Sequence, residues 1–188
     1  LVSLLWLPPA CAQNDLSVVT TVRPLALIAQ AVLGDQGQVE AIITAQDSPH
    51  HFSLSPGDRM AVADADLLVW VGPEFEVFLE QFIRRQQDTS RITVLELPDL
   101  VRHSMSDGSV DPHVWLDPDN AVVIADALGA RLSELDPGNH QIYAANLKRF
   151  ADRVTARKAS LQTDLQPSPN WTMPFITMPI STLKSVLA

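Results

Sequence analysis

The sequence offers little to cross-link or to catalyse with. A single cysteine, Cys11, excludes a disulfide within the chain. There is no His-Glu-x-x-His helix, no Gly-x-Ser-x-Gly elbow, no phosphate-cradling glycine run and no cysteine pair, so no motif nominates a nucleophile or a general base for metal-bound water. Basic residues are scarce too: 13 Lys and Arg face 22 Asp and Glu without forming a basic block, for a formal charge of -9. Phosphate backbones require clustered cations, which excludes nucleic acid as a partner and makes a cation the more natural ligand.

What is present begins with an uncharged amino-terminal run. Leu1 to Ala12 is too short to span a bilayer, which takes ~20 apolar residues, and reads as the apolar part of a secretory signal peptide ending in Ala10-Cys11-Ala12. An initiator Met and a basic leader are missing, so the expectation is a signal remnant over 1–12, cleaved after Ala12 to release an exported protein. Cys11 leaves with it, the preceding Pro8-Pro9-Ala10 speaking against lipidation.

With 46% hydrophobic residues in 188, the remainder can bury a core. Ser17–Val22 reads as a strand, followed from Pro24 by a helical run (Leu25, Ile28, Ala29, Val32) that stops at Gly34. Val39–Thr44 is a second strand, Pro56 starts a short helix, and Leu67–Val71 is a continuous apolar strand broken at Gly72-Pro73. Glu74–Arg85 places Phe75, Phe78, Leu79, Phe82 and Ile83 on one helical face, and Ile92–Leu95 is a further strand. Strands separated by helices predict an α/β fold with a parallel-sheet lobe and flanking helices over residues 16–135. After the polar connection 101–110 and the loop that follows it, Ala121–Leu135 reads as helical, with Pro118 suited to the first turn and Asp117 as N-cap, and then comes a turn at Asp136-Pro137-Gly138. Residues 139–165 lack Pro and Gly and repeat apolar residues at helical steps (Tyr143, Leu147, Phe150, Val154, Leu161), predicting one long helix. Pro167, Pro169 and Pro174 make a stiff linker to a strand at Phe175–Met178 and a short tail, within a last segment of 166–188.

Two loops carry the chemistry. Asp111-Pro112-His113-Val114-Trp115-Leu116-Asp117-Pro118 places an imidazole between a proline and bulky apolar anchors, ahead of a helix start. Ser48-Pro49-His50-His51-Phe52 repeats the design before Ser55-Pro56. Neutral imidazole is the commonest ligand for borderline metals such as zinc, so the candidate metal ligands are His50 and His113 on one shared ion. His51 is the neighbour facing away, and His103 and His140 face solvent. Asp111 and Asp117 are candidates for orienting the imidazoles, although Asp117 is equally explained as the helix cap. On these residues alone two classes stay open. One is a protein that binds and releases a metal without turnover, and the other an extracytoplasmic metallohydrolase, with the missing general-base motif favouring the first.

The two His loops, together with Asp64-Ala65-Asp66-Leu67-Leu68-Val69-Trp70-Val71-Gly72-Pro73-Glu74, resemble the periplasmic zinc (or manganese) receptors of ABC importers, the ZnuA-like or TroA-like family, in order over residues 17 to about 178. The resemblance implies a lobe that binds Zn2+, or Mn2+ in manganese members, through His50 and His113. It implies an interlobe helix over 139–165 and a monomeric, non-enzymatic receptor working with a membrane permease and its ATPase. Adhesins share this scaffold. Zinc members often carry a His-rich acidic loop before the second ligand; here that place holds Arg102-His103-Ser104-Met105-Ser106-Asp107-Gly108. After the strand the family continues with His-Asp-Ala-Tyr-x-Tyr-Phe, which supplies a third ligand, and with a second lobe. Here the chain reads Pro179-Ile180-Ser181-Thr182-Leu183-Lys184, and one back-translation read one base over gives Ala-Tyr-Gln-Tyr-Phe-Glu. The expectation is a frameshift after Met178 that truncates the second lobe and weakens metal binding.

Overall fold

The computed structural model describes residues 15–43, 52–85 and 89–164. The signal remnant, the loop holding His50 and His51, and the segment with the linker, the strand at Phe175–Met178 and the tail lie outside the described residues.

Among the described residues four strands, β1 (Leu16–Val22), β2 (Gly37–Ile43), β3 (Leu67–Trp70) and β4 (Arg91–Thr93), form one sheet of order β2-β1-β3-β4 in which every pairing is parallel. The helices are α1 (Arg23–Leu33), α2 (Pro56–Asp64), α3 (Val77–Ile83), α4 (Pro118–Leu135) and α5 (His140–Asp164). Alternation along the strands sorts the side chains onto two faces. Val18 and Val22 of β1 with Leu67 and Val69 of β3 join α1 and α4 in the larger core, which holds Leu25, Val32, Ile124, Leu128 and Leu132. Val19, Leu68 and Trp70 face the other way, onto Val62 of α2 and Leu79 and Ile83 of α3. Burial on both faces explains why β1 and β3 read as unbroken apolar runs.

Helix boundaries follow local chemistry. Ser55 and Asp58 form a reciprocal capping box for α2, and Asp117 caps α4 by accepting from the Asp119 amide at 2.8 Å. Gly34 ends α1 at φ 64°, a left-handed value that favours glycine, and a Cβ there would lie 2.7 Å from the Asn146 amide nitrogen. That amide belongs to α5 and donates to the Val32 carbonyl at 2.9 Å. At the start of α5, the Tyr143 hydroxyl and the Asn139 amide each donate to Asp136 at 2.7 Å, holding its carboxyl below the ordinary range. Buried Tyr143 and half-buried Leu147 and Phe150 then pack on the larger core, so the predicted apolar stripe is observed that far. The helix continues unbroken through Arg157 to Asp164, while the division between the chain's two compact units falls after Thr155. In the second unit Leu161 is 40% exposed.

Three expectations need correction. The helix expected from Glu74 begins at Val77, because Gly72 (φ 147°) opens a turn whose carbonyl accepts from both Phe75 and Glu76. The strand expected to reach Leu95 ends at Thr93. Val94–Glu96 is a single 3-10 turn there, with the Arg102 guanidinium gathering the carbonyls of Leu95, Leu97 and Leu100. The long helix starts at His140, since Asn139 closes a 3-10 turn with Pro137 and Gly138.

Candidate metal centre

His113 sits where the sheet's carboxyl edge meets the start of α4, the edge at which open α/β sheets bind ligands. Its loop is pinned from below. Asn120 is fully buried, accepts from the Val101 amide at 2.8 Å and donates to the carbonyls of Val101 and Val114 at 2.8 and 3.0 Å. One side chain on α4 thus fixes both roots of the segment bearing His113. Between those roots the chain folds back on itself. Ser104 bridges Val110 in antiparallel fashion, the Asp111 amide donates to the His103 carbonyl at 2.8 Å, and Gly108 (φ 85°) makes the bend.

The imidazole is held on three sides. Asp111 Oδ1 lies 2.8 Å from Nδ1 and accepts the His113 amide at 3.0 Å, and these two contacts hold the Asp111 carboxyl below its ordinary range. With Nδ1–H donating to the carboxylate, Nε2 carries the free lone pair, the tautomer and orientation a metal ligand needs. The Phe75 and Trp115 rings meet the imidazole edge to face, at centroid distances of 5.6 and 5.4 Å, and each other at 5.5 Å. The His113 side chain stays 42% exposed, accessible to an ion. Of the expected apolar anchors, Val114 is buried and Trp115 packs on the core, whereas Leu116 is exposed.

Phe75 leaves the turn that follows β3, and the residue after it, Glu76, is fully buried. Its carboxylate accepts from Thr21 Oγ1 at 2.5 Å, the Val71 amide at 3.1 Å and the Gly72 amide at 2.9 Å. Burial nevertheless pushes its pKa up to about 7 against the lowering effect of these bonds.

His50 lies outside the described residues, and among the described residues no three His, Cys, Asp or Glu side chains group as a metal cage. β2 ends at the sheet's carboxyl edge at Ile43, and the Phe52 ring packs on Phe78 at 5.3 Å. His103 and His140 are exposed as expected. Asp111 takes the orienting role and Asp117 the capping role, which the sequence left open. Sequence reasoning missed Asn120, Glu76 and its partner Thr21. A polar residue two places past a helix-starting proline and a Glu flanked by the apolar Phe75 and Val77 were the only signals.

A parallel α/β lobe that presents a carboxylate-oriented imidazole at its carboxyl edge defines a ligand-binding lobe. Residues 18–178 match the ZnuA family, described as the periplasmic component A of the zinc-uptake complex, and the chain belongs to that family. It is 30% identical over 187 residues to the high-affinity zinc uptake system protein ZnuA of Paracoccus denitrificans, covering 80% of this chain and 57% of that protein. It is also 30% identical over 137 residues to the manganese-binding lipoprotein MntA of Halalkalibacterium halodurans, covering 73% and 45%. The crystal structure of the metal-dependent lipoprotein YcdH from Bacillus subtilis superposes with a TM-score of 0.71 at 26% identity, covering 79% of this chain and 55% of that one. The chain therefore spans about half the length of these relatives.

Proposed function

We propose that this chain is the metal-capturing part of the solute-binding component of an ABC importer, with Zn2+ as its cargo and His50 and His113 as ligands. In this reading residues 16–135 form the amino-terminal lobe and 139–165 the interlobe helix. The protein acts as a monomer in the periplasm, having arrived there on a cleaved signal peptide, and delivers its ion to a membrane permease driven by an ATPase. Its role is binding and release, without turnover. The observation that carries the reading is the Asp111–His113 contact at 2.8 Å, which leaves Nε2 as the donor of an accessible imidazole. Imidazole donors favour zinc, whereas manganese prefers carboxylate and other oxygen ligands.

Calorimetric titration of Zn2+ and Mn2+ into the full chain tests this. Zinc is expected to bind more tightly than manganese. His50→Ala and His113→Ala each weaken zinc at least ~100-fold, and Asp111→Asn weakens it ~10- to 100-fold through loss of the orienting acceptor. Zinc binding unaffected by His113→Ala would overturn the assignment.

A further inference from the structure

We propose that Glu76 is a positioning residue for the metal centre: by clamping the turn after β3 to β1, it fixes Phe75 and so sets the attitude of the His113 ring. The proposal rests on the metal-binding reading above and adds a residue that never touches the ion.

Three observations carry it. Glu76 stands at the amino-terminal cap position of α3, yet its side chain caps nothing there and turns back to accept the Val71 and Gly72 amides. A residue whose task was only to start α3 would offer its oxygens to that helix's own amides. The third bond, from Thr21 Oγ1, crosses to the carboxyl end of β1, 55 residues away in sequence, so the carboxylate joins the turn to a central strand of the sheet. The turn itself is closed by the Gly72 carbonyl, which accepts from Phe75 at 3.0 Å and Glu76 at 2.9 Å, so Phe75 cannot shift while Glu76 stays seated.

Phe75 in turn touches both the His113 and Trp115 rings, and the three rings close a triangle with sides between 5.4 and 5.6 Å. Asp111 fixes one edge of the imidazole and Phe75 meets the ring edge to face, so a displaced Phe75 lets the ring rotate about the Nδ1 contact and swing Nε2 away. A carboxylate is suited to the clamp because both its oxygens accept. The amide of Gln would turn a donor towards one of the backbone N–H groups and open the turn.

The test is made on the full chain and does not depend on metal alone. His113 ring-proton NMR signals, which are shifted by the Phe75 and Trp115 ring currents, are recorded for wild type, Glu76→Gln and Thr21→Val without metal. Zn2+ is then titrated into each. Folded Glu76→Gln is expected to move the His113 signals and to weaken zinc roughly tenfold, the scale of an orienting contact once removed, with Thr21→Val intermediate. If Glu76→Gln does not fold, Thr21→Val, which keeps both backbone bonds, is judged by the same signals. Unmoved His113 signals in the folded variants overturn the proposal, since a role in stability alone would leave them in place. A wild-type chain that takes up no zinc defeats the metal reading, and the metal-free signals still decide whether Glu76 positions His113.

Discussion

Removing the charge of Glu76 while keeping its shape should change how stability depends on pH. The carboxyl is fully buried, and burial lifts its pKa from 4.5 to about 7, with the bonds from Thr21, Gly72 and Val71 pulling the other way. A group whose pKa rises on folding adds stability that is complete below the unfolded value and is lost as pH climbs through the folded value. Between 4.5 and about 7 the folded chain therefore holds a proton that the unfolded chain has released. Once Glu76 is ionised the loss comes to about 3 kcal/mol, at 1.36 kcal/mol per pKa unit. The side-chain amide of the Glu76→Gln variant does not titrate. It removes an acceptor from one backbone amide, a penalty that is the same at every pH. Urea unfolding of both proteins from about pH 5 to about pH 8 should show the variant gaining on wild type by about 2 to 3 kcal/mol over that span. Groups common to both chains, Asp111 and Asp136 among them, cancel in the difference. A stability difference that stays flat with pH would refute the reasoning and show that Glu76 keeps an ordinary pKa in the fold.

Asn120→Ala strips partners from the Val101 amide and from two carbonyls, and should cost about 3 kcal/mol in urea unfolding at neutral pH; a loss under about 1 kcal/mol would show that water replaces the clamp. Gly34→Ala forces a side chain into φ 64° and against the Asn146 amide, with an expected loss of about 2 kcal/mol in the same assay. A further Asn146→Ala change should recover part of that loss, because the two share one contact; additive penalties would mean that backbone strain alone is responsible.

The layer architecture was legible because it is written in short-range patterns. The apolar runs of β1 and β3 announce strands buried on both faces. Gly34, Ser55 and Asp117 announce helix ends through chemistry confined to a few residues. The Asp111–His113 contact was legible for the same reason, its two partners standing two residues apart. What stayed hidden acts across distance. Thr21 meets Glu76 over 55 residues and Asn120 reaches back 19 to Val101, separations at which a polar side chain in a turn or first helical turn looks like one facing solvent. The end of β4 was misplaced because Arg102, beyond the strand, draws in the carbonyls of Leu95 and Leu97.

The double grip of Asn120 on Val101 and Val114 bears on how this chain can vary. Beyond the grip, the Ser104–Val110 bridge and the Met105 amide bond to Ser109 at 2.8 Å close a small hairpin, and a Cβ added at its Gly108 would meet nothing within 4 Å. Extra residues inserted at that tip would be felt only as loop-closure entropy, about 0.6 kcal/mol for each doubling of loop length. The tip can therefore lengthen, shorten or change composition under selection while the imidazole beside it keeps its place.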